Sequence, residues 1–155
     1  MQYKLSIIIP SRNEEWLDRT IQDVLEHTNE TTEVIAILDG YIPDPVLTQN
    51  SSRVTIIYNP EAVGQRAAWN QGVKLSKAKY VCKLDAHCAI DQDFDTKMIE
   101  VMEKLGDNTT LISTMRNLHI FDWLCPDGHR RYQGPSGPCE FPENPKGEGP
   151  KCGKP

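Results

Sequence analysis

No stretch of this 155-residue chain is apolar over the roughly 20 residues that a membrane-spanning helix requires, and the N-terminus lacks a signal-peptide pattern. The chain therefore reads as cytoplasmic. It also lacks any long run of one charge sign: 17 Lys and Arg stand against 22 Asp and Glu, a net charge of −5. That balance excludes the basic stripe of a general nucleic-acid binder, and no nucleic-acid partner is expected. An anionic ligand would need local help from an arginine, a helix N-terminus or a bound cation. The dinucleotide fingerprint G-x-G-x-x-G is missing after the first apolar run, where PSRNEE stands instead, and there is no G-x-x-x-x-G-K-[ST] phosphate loop. Nicotinamide, flavin and P-loop chemistry are disfavoured accordingly. Five cysteines, an odd number, cannot all pair internally, so free thiols or metal ligation are their expected uses.

What is present is enough for one domain with a real core: 38% hydrophobic and 25% charged residues. Leu5 to Ile9 (LSIII) is a β-branched run that suits a buried strand ended by Pro10. Leu17, Ile21, Val24 and Leu25 recur at helical spacing within 14–27, with Ser11 and Glu14 spaced as a capping box. Further strands are expected at Glu33 to Leu38, Val54 to Tyr58, Lys79 to Leu84 and Leu111 to Met115. Helices are expected at 63–76, where Ala67, Ala68 and Gly72 permit close packing, and at 94–105, with Phe94, Met98, Val101, Met102 and Leu105 on one face. Strands alternating with helices imply a mostly parallel sheet. Ligands of such sheets bind beyond the carboxyl ends of the strands, near the topological switch point. The polar groups following the strands are Ser11-Arg12-Asn13-Glu14, Asp39-Gly40 and Asp85-Ala86-His87, which this topology gathers at one edge.

From Cys125 the character changes to a Gly- and Pro-dense segment without helical or strand period. We divide the chain into 1–120, the α/β domain, and 121–155, this Cys/Gly/Pro-rich segment. Cys125, His129, Cys139 and Cys152 supply four ligands suited to structural Zn²⁺, in the spacing C-x₃-H, nine residues, C-x₁₂-C. The competing readings are a disordered tail and a truncated acceptor region.

The stretch KLDAHC, Lys83 to Cys88, carries the sharpest chemistry. A carboxylate and an imidazole at alternate positions after a strand can serve one ion, and the mixed oxygen and nitrogen set suits Mn²⁺ or a similar borderline metal better than Ca²⁺, with Mg²⁺ as the other expected cofactor. Such a cation would stabilise a diphosphate leaving group. The bland alternative is a polar turn.

Together with IIIPSRNEE, LDG and GQRAAWNQG, the DAH triplet makes the chain resemble the nucleotide-binding half of GT-A glycosyltransferases, particularly family 2, over about Lys4 to Met115. DAH occupies the family's D-x-D position in a D-x-H form, and SKAKYVCKLDAHC is similar to the corresponding stretch of polypeptide N-acetylgalactosaminyltransferases, where D-x-H binds manganese. The resemblance implies a GT-A (Rossmann-like) fold and a metal-dependent transferase of hexosyl or N-acetylhexosaminyl type. It implies a nucleotide-sugar donor contacted by Pro10, Ser11, Glu14 and Asp39, with Arg12, Gly64, Arg66 and Asp85 near its ribose or phosphates. Asp85 and His87 would hold the metal. Asp39 can accept the imide N–H of uracil, which cytosine lacks, so UDP is the expected nucleotide. Asn13 and Asn70 read as cap and packing residues, and Trp69 as core.

The resemblance leaves the catalytic base unassigned. Asp107, Asp122 and Asp127 are carboxylates in the right half, and no pattern singles one out; His119 and His129 are weak third-ligand candidates. The acceptor is equally open: glycan, protein or small molecule. Two further readings compete with the transferase. One is a non-catalytic nucleotide-sugar-binding module with a zinc-stabilised tail; the other, disfavoured by the acidic balance, is a zinc-ribbon nucleic-acid protein.

Overall fold

The computed structural model describes residues 2–44, 46–106, 108–115, 122–124 and 130–132. The zinc candidates Cys125, His129, Cys139 and Cys152, together with Asp107, His119 and Asp127, lie outside them.

β1 (Leu5–Ser11) and β2 (Thr32–Asp39) are the near-continuous apolar runs that a strand covered on both faces requires, and almost every residue of both is buried. They pair in parallel, Leu5 opposite Thr32 through Ser11 opposite Leu38. β3 (Val54–Asn59) adds in parallel outside β2, and β4 (Tyr80–Lys83) adds in parallel outside β1. The order is therefore β3-β2-β1-β4, with the direction of winding reversing between β1 and β4. This is the α/β, parallel-sheet architecture expected from the alternation of segments.

Pro10 lies within β1 rather than ending it. The Ile8 carbonyl accepts the Leu84 N–H, so Pro10, of the same parity, faces the β4 side. The β4 ladder has already stopped at Lys83 there, and the missing proline N–H is not needed.

The helices divide between the faces. Leu17, Ile21 and Val24 of α1 (Leu17–His27) pack with Leu5, Ile7, Ile9, Val34, Ala36 and Leu38, and Ile99 of α3 (Phe94–Leu105) joins the same cluster. Ala68 of α2 (Gln65–Leu75) packs with Ile8, Ile35 and Ile37 on the other face, with Trp69 and Val73 against them. Full burial of each such aliphatic side chain contributes roughly 1.5–3 kcal/mol relative to exposure. Gly72 is placed by this packing, because a Cβ there would run into the Ile8 side chain.

Three local expectations fail for physical reasons. α1 begins at Leu17, after Trp16, without a side-chain cap, so Ser11 and Glu14 form no capping box. Ser11 is still in the strand, and Asn13 turns the chain with φ 54°, a left-handed conformation that asparagine tolerates, rather than capping a helix. Residues 111–115 form no strand. The buried side of α3 carries Asp95 and Ile99, while Val101 and Leu105 are exposed. Asp95 reaches the interior because its carboxylate accepts from the Asn29 N–H at 3.0 Å and the Thr32 hydroxyl at 2.6 Å.

A buried arginine closes the far end of the sheet. Arg53 donates to the carbonyls of Leu25, Asn29 and Thr32, tying the start of β3 to the end of α1. No helix among the described residues is long and apolar enough to cross a membrane. The chain divides into two compact units, Met1–Ile112 and Ser113–Pro155. Within the second, β5 (Asp122–Leu124) and β6 (Arg130–Tyr132) pair antiparallel.

Candidate functional site at the strand ends

The reversal between β1 and β4 opens the sheet edge at which the expected polar groups meet. Neighbouring strands place the turn after β1 beside the loop after β4, and there the Glu14 Oε1 lies 3.1 Å from the His87 Nδ1. On the same loop Asp85 Oδ1 is 2.9 Å from the Lys83 ammonium and 3.4 Å from the Gln65 amide nitrogen. Gln65 opens α2, so this contact links the β4 loop to the helix start.

α1 holds the DAH loop from beneath. Thr20 Oγ1 donates to the Ala86 carbonyl at 3.0 Å and accepts the Cys88 N–H at 3.2 Å, fixing the backbone on both sides of His87. Asp23 accepts the Ile90 N–H at 2.7 Å, and Ala86 is itself buried in the core. The imidazole above remains about half exposed.

At the end of β2, Asp39 is almost fully buried, 3% exposed. Its carboxylate accepts the N–H groups of Val63 at 2.6 Å and Gly64 at 2.9 Å, which draws the loop before α2 over the strand end. Gly40, with φ 71°, completes the turn; a Cβ there would stand 2.7 Å from the Ala62 backbone nitrogen. A carboxylate offers about four acceptor positions, so this one retains capacity for a ligand N–H. Ser11 at the end of β1 is buried, and its hydroxyl finds no partner among the described residues.

Thus Ser11, Glu14, Asp39, Gly64, Asp85 and His87 gather along one edge. Pro10 is buried in β1, while Arg12 and Arg66 are exposed at the same end. The contacts of Lys83, Gln65 and Thr20 with the loop are additions that sequence reading missed. Lys83 is the one with a visible signal, since it ends β4 only two residues before Asp85.

Whether the residues suit a divalent cation can be judged from their chemistry. Among the described residues no group of three or more His, Cys, Asp or Glu side chains converges into a complete cage. Asp85 and His87 supply one oxygen and one nitrogen donor, a pair that fits a borderline ion such as Mn²⁺ better than the oxygen-preferring Mg²⁺. The Lys83 ammonium already places one positive charge against Asp85 Oδ1. Burial pushes the neighbouring Cys88 thiol up, and the charges of Asp85 and Glu14 act in the same direction; a hydrogen bond with the Asp85 backbone and the charge of Lys83 oppose them. The thiol is neutral near pH 7.

Residues 6–123 match the model of "Glycosyl transferase family 2". The chain belongs to that family. An "Uncharacterized glycosyltransferase" from Rickettsia bellii (strain RML369-C) is 30% identical over 115 residues, which are 71% of this chain and 16% of the relative. The family 2 domain described here thus spans a small part of that relative's length. Among solved structures, S. aureus TarS 1-349 superposes with a TM-score of 0.53 at 16% identity, covering 65% of this chain and 32% of that one. Full S. aureus TarS gives 0.52 at 14% identity, covering 65% and 20%. At such identities the likeness speaks for the fold, and it agrees with the GT-A expectation.

Proposed function

We propose that this family 2 domain binds a nucleotide sugar, a UDP-sugar in the first instance, and takes part in transferring its glycosyl group to an acceptor hydroxyl. The observation that carries the reading is the contact of Glu14 with His87 across the switch point, where α/β sheets bind ligands, with Asp85 on the same loop as His87. Family membership supports the same donor class. In this reading Asp39 would accept the uracil imide N–H, Ser11, whose hydroxyl has no partner among the described residues, would lie beside it, and Arg12 and Arg66 would add positive charge near the phosphates. Asp85 and His87 would hold Mn²⁺ or Mg²⁺, which when bound would neutralise charge on the departing diphosphate.

In the transfer, the acceptor oxygen forms a bond to the anomeric carbon as the bond from that carbon to the diphosphate breaks. The hydroxyl proton passes to a base, and UDP leaves with the bonding electron pair.

The test is calorimetric titration of UDP with Mn²⁺ and again with excess EDTA, on the full chain and on Asp85→Ala and His87→Ala. Metal-dependent binding, lost in both variants, is the expected result. Absence of UDP binding by folded protein under either condition would sink the reading. Binding without UDP-sugar turnover would favour the non-catalytic module over the transferase.

A further inference from the structure

A histidine in place of a carboxylate creates a requirement that aspartate does not have. An imidazole can present either nitrogen to an ion, and only one lone pair is free in the neutral ring. A metal-ligating histidine is therefore commonly oriented by a carboxylate or carbonyl that takes the proton of its other nitrogen.

Resting on the metal reading above, we infer that Glu14 is the positioning residue that makes His87 a directed ligand, holding the Nδ1–H and leaving Nε2 to face the ion. Glu14 Oε1 lies 3.1 Å from His87 Nδ1. An ionised carboxylate can only accept, so a neutral ring bonded in this way carries its proton on Nδ1 and its lone pair on Nε2. Several features make this more than a chance surface pair. Glu14 is less exposed than its partner, at 29% against 53%. Asn13 immediately before it adopts a left-handed conformation, φ 54°. On the other side, Thr20 fixes the carbonyl of Ala86 and the N–H of Cys88, so the His87 backbone is held while Glu14 holds the ring. Both restraints originate in the β1–α1 segment and converge on one residue of the β4 loop. A solitary exposed ion pair would have no such second anchor and would contribute little.

The inference assigns Glu14 to the metal motif through His87, a role distinct from contacting the nucleoside. It also explains how one substitution in the motif can depend on a residue far away in the chain. Where the second ligand is an aspartate, no tautomer needs to be chosen and Glu14 has nothing to orient.

Two measurements test it. Long-range ¹H–¹⁵N correlation on the metal-free full chain reads the His87 tautomer directly; the Nδ1–H form is expected, and a dominant Nε2–H form would overturn the inference whatever the metal does. Electron paramagnetic resonance of Mn²⁺ titrated with UDP then compares wild type with Glu14→Ala, Glu14→Gln, His87→Asp and the double variant Glu14→Ala/His87→Asp. Loss of the orienting partner should weaken Mn²⁺ affinity about 10- to 100-fold in Glu14→Ala. Glu14→Gln, whose amide oxygen still accepts the Nδ1–H, should recover part of it. In the His87→Asp background, Glu14→Ala should have no further effect.

Equal affinities for wild type and Glu14→Ala, with His87→Ala still losing the ion, would overturn this inference and leave the metal reading standing. Mn²⁺ affinity unaffected by His87→Ala would overturn both.

Discussion

Thr20 on α1 donates its hydroxyl to the carbonyl of Ala86 at 3.0 Å, and through this contact a helix in the first third of the chain sets the position of the DAH loop. The same oxygen accepts from Cys88, so the hydroxyl satisfies two backbone groups that the fold keeps from water.

Replacing Thr20 by Val keeps the volume and removes both bonds. The expected cost is about 1–3 kcal/mol, since a buried carbonyl and an N–H are left without partners. Mn²⁺-dependent UDP binding should weaken as well, because the backbone flanking His87 loses its anchor. Thr20→Ser, which keeps the oxygen, should behave nearly as wild type in both respects. Urea unfolding and calorimetry check the two effects, and a stable, fully binding Thr20→Val would refute the anchoring role.

Asp39 joins stability to ligand binding in another way. Its two oxygens accept the Val63 and Gly64 N–H groups, so an amide in its place turns one acceptor into a donor that meets a donor. Asp39→Asn should therefore lose about 1–3 kcal/mol of stability. Under the proposed donor role it should also lower UDP affinity roughly tenfold or more, as expected for loss of a hydrogen bond to a charged group. The informative measurement is UDP affinity at a temperature where the variant is fully folded. Undiminished affinity there would confine Asp39 to holding the loop.

Much of this was legible from local pattern. The apolar runs of β1 and β2 are long and β-branched, so strands on either side of a helical period could be read directly, and with them the edge that collects Glu14, Asp39 and Asp85. The failures have identifiable causes. Pro10 looked like a stop because the sequence does not show that the β4 ladder ends before it. Val101 and Leu105 looked like core because hydrophobic spacing assumes that polar residues face water, and Asp95 is buried by partners on Asn29 and Thr32. The pairing of Glu14 with His87 follows only from the adjacency of β1 and β4, which local periodicity does not encode. Of these contacts the one between Lys83 and Asp85 is accessible to sequence, because the two charges stand two residues apart.

The packing of α2 gives a prediction without reference to ligands. Gly72 meets Ile8 so closely that Gly72→Ala must displace the strand side chain, despite alanine's higher helix propensity. A loss of about 1–3 kcal/mol is expected from overpacking. Ile8→Ala alone should cost about 2–5 kcal/mol as a cavity. The double variant should lose less than the two together, since the new methyl fills space the isoleucine vacates. Thermal or urea unfolding of the four proteins measures the coupling, and strict additivity would show that helix and strand do not touch as described.

Cys82 in β4 packs against the α1 side of the core, and burial pushes its thiol from 9.0 up to about 11. The sign follows from which form the fold prefers. The folded protein keeps the neutral thiol, while the unfolded chain ionises once the pH passes the ordinary thiol value. Below that value both states hold the proton and the contribution is fully present; as pH rises from about 9 to about 11, it is lost. Stability of the wild type should therefore fall across this window more steeply than that of Cys82→Ala, which has no thiol to ionise. The alanine variant starts lower at neutral pH because it loses packing, so the two unfolding curves should approach each other as the solution becomes alkaline. Other alkaline groups are common to both proteins and cancel in the difference. Denaturant midpoints measured at intervals from pH 7 to about 11 test this, and parallel curves throughout would mean that water reaches the sulfur in the folded state.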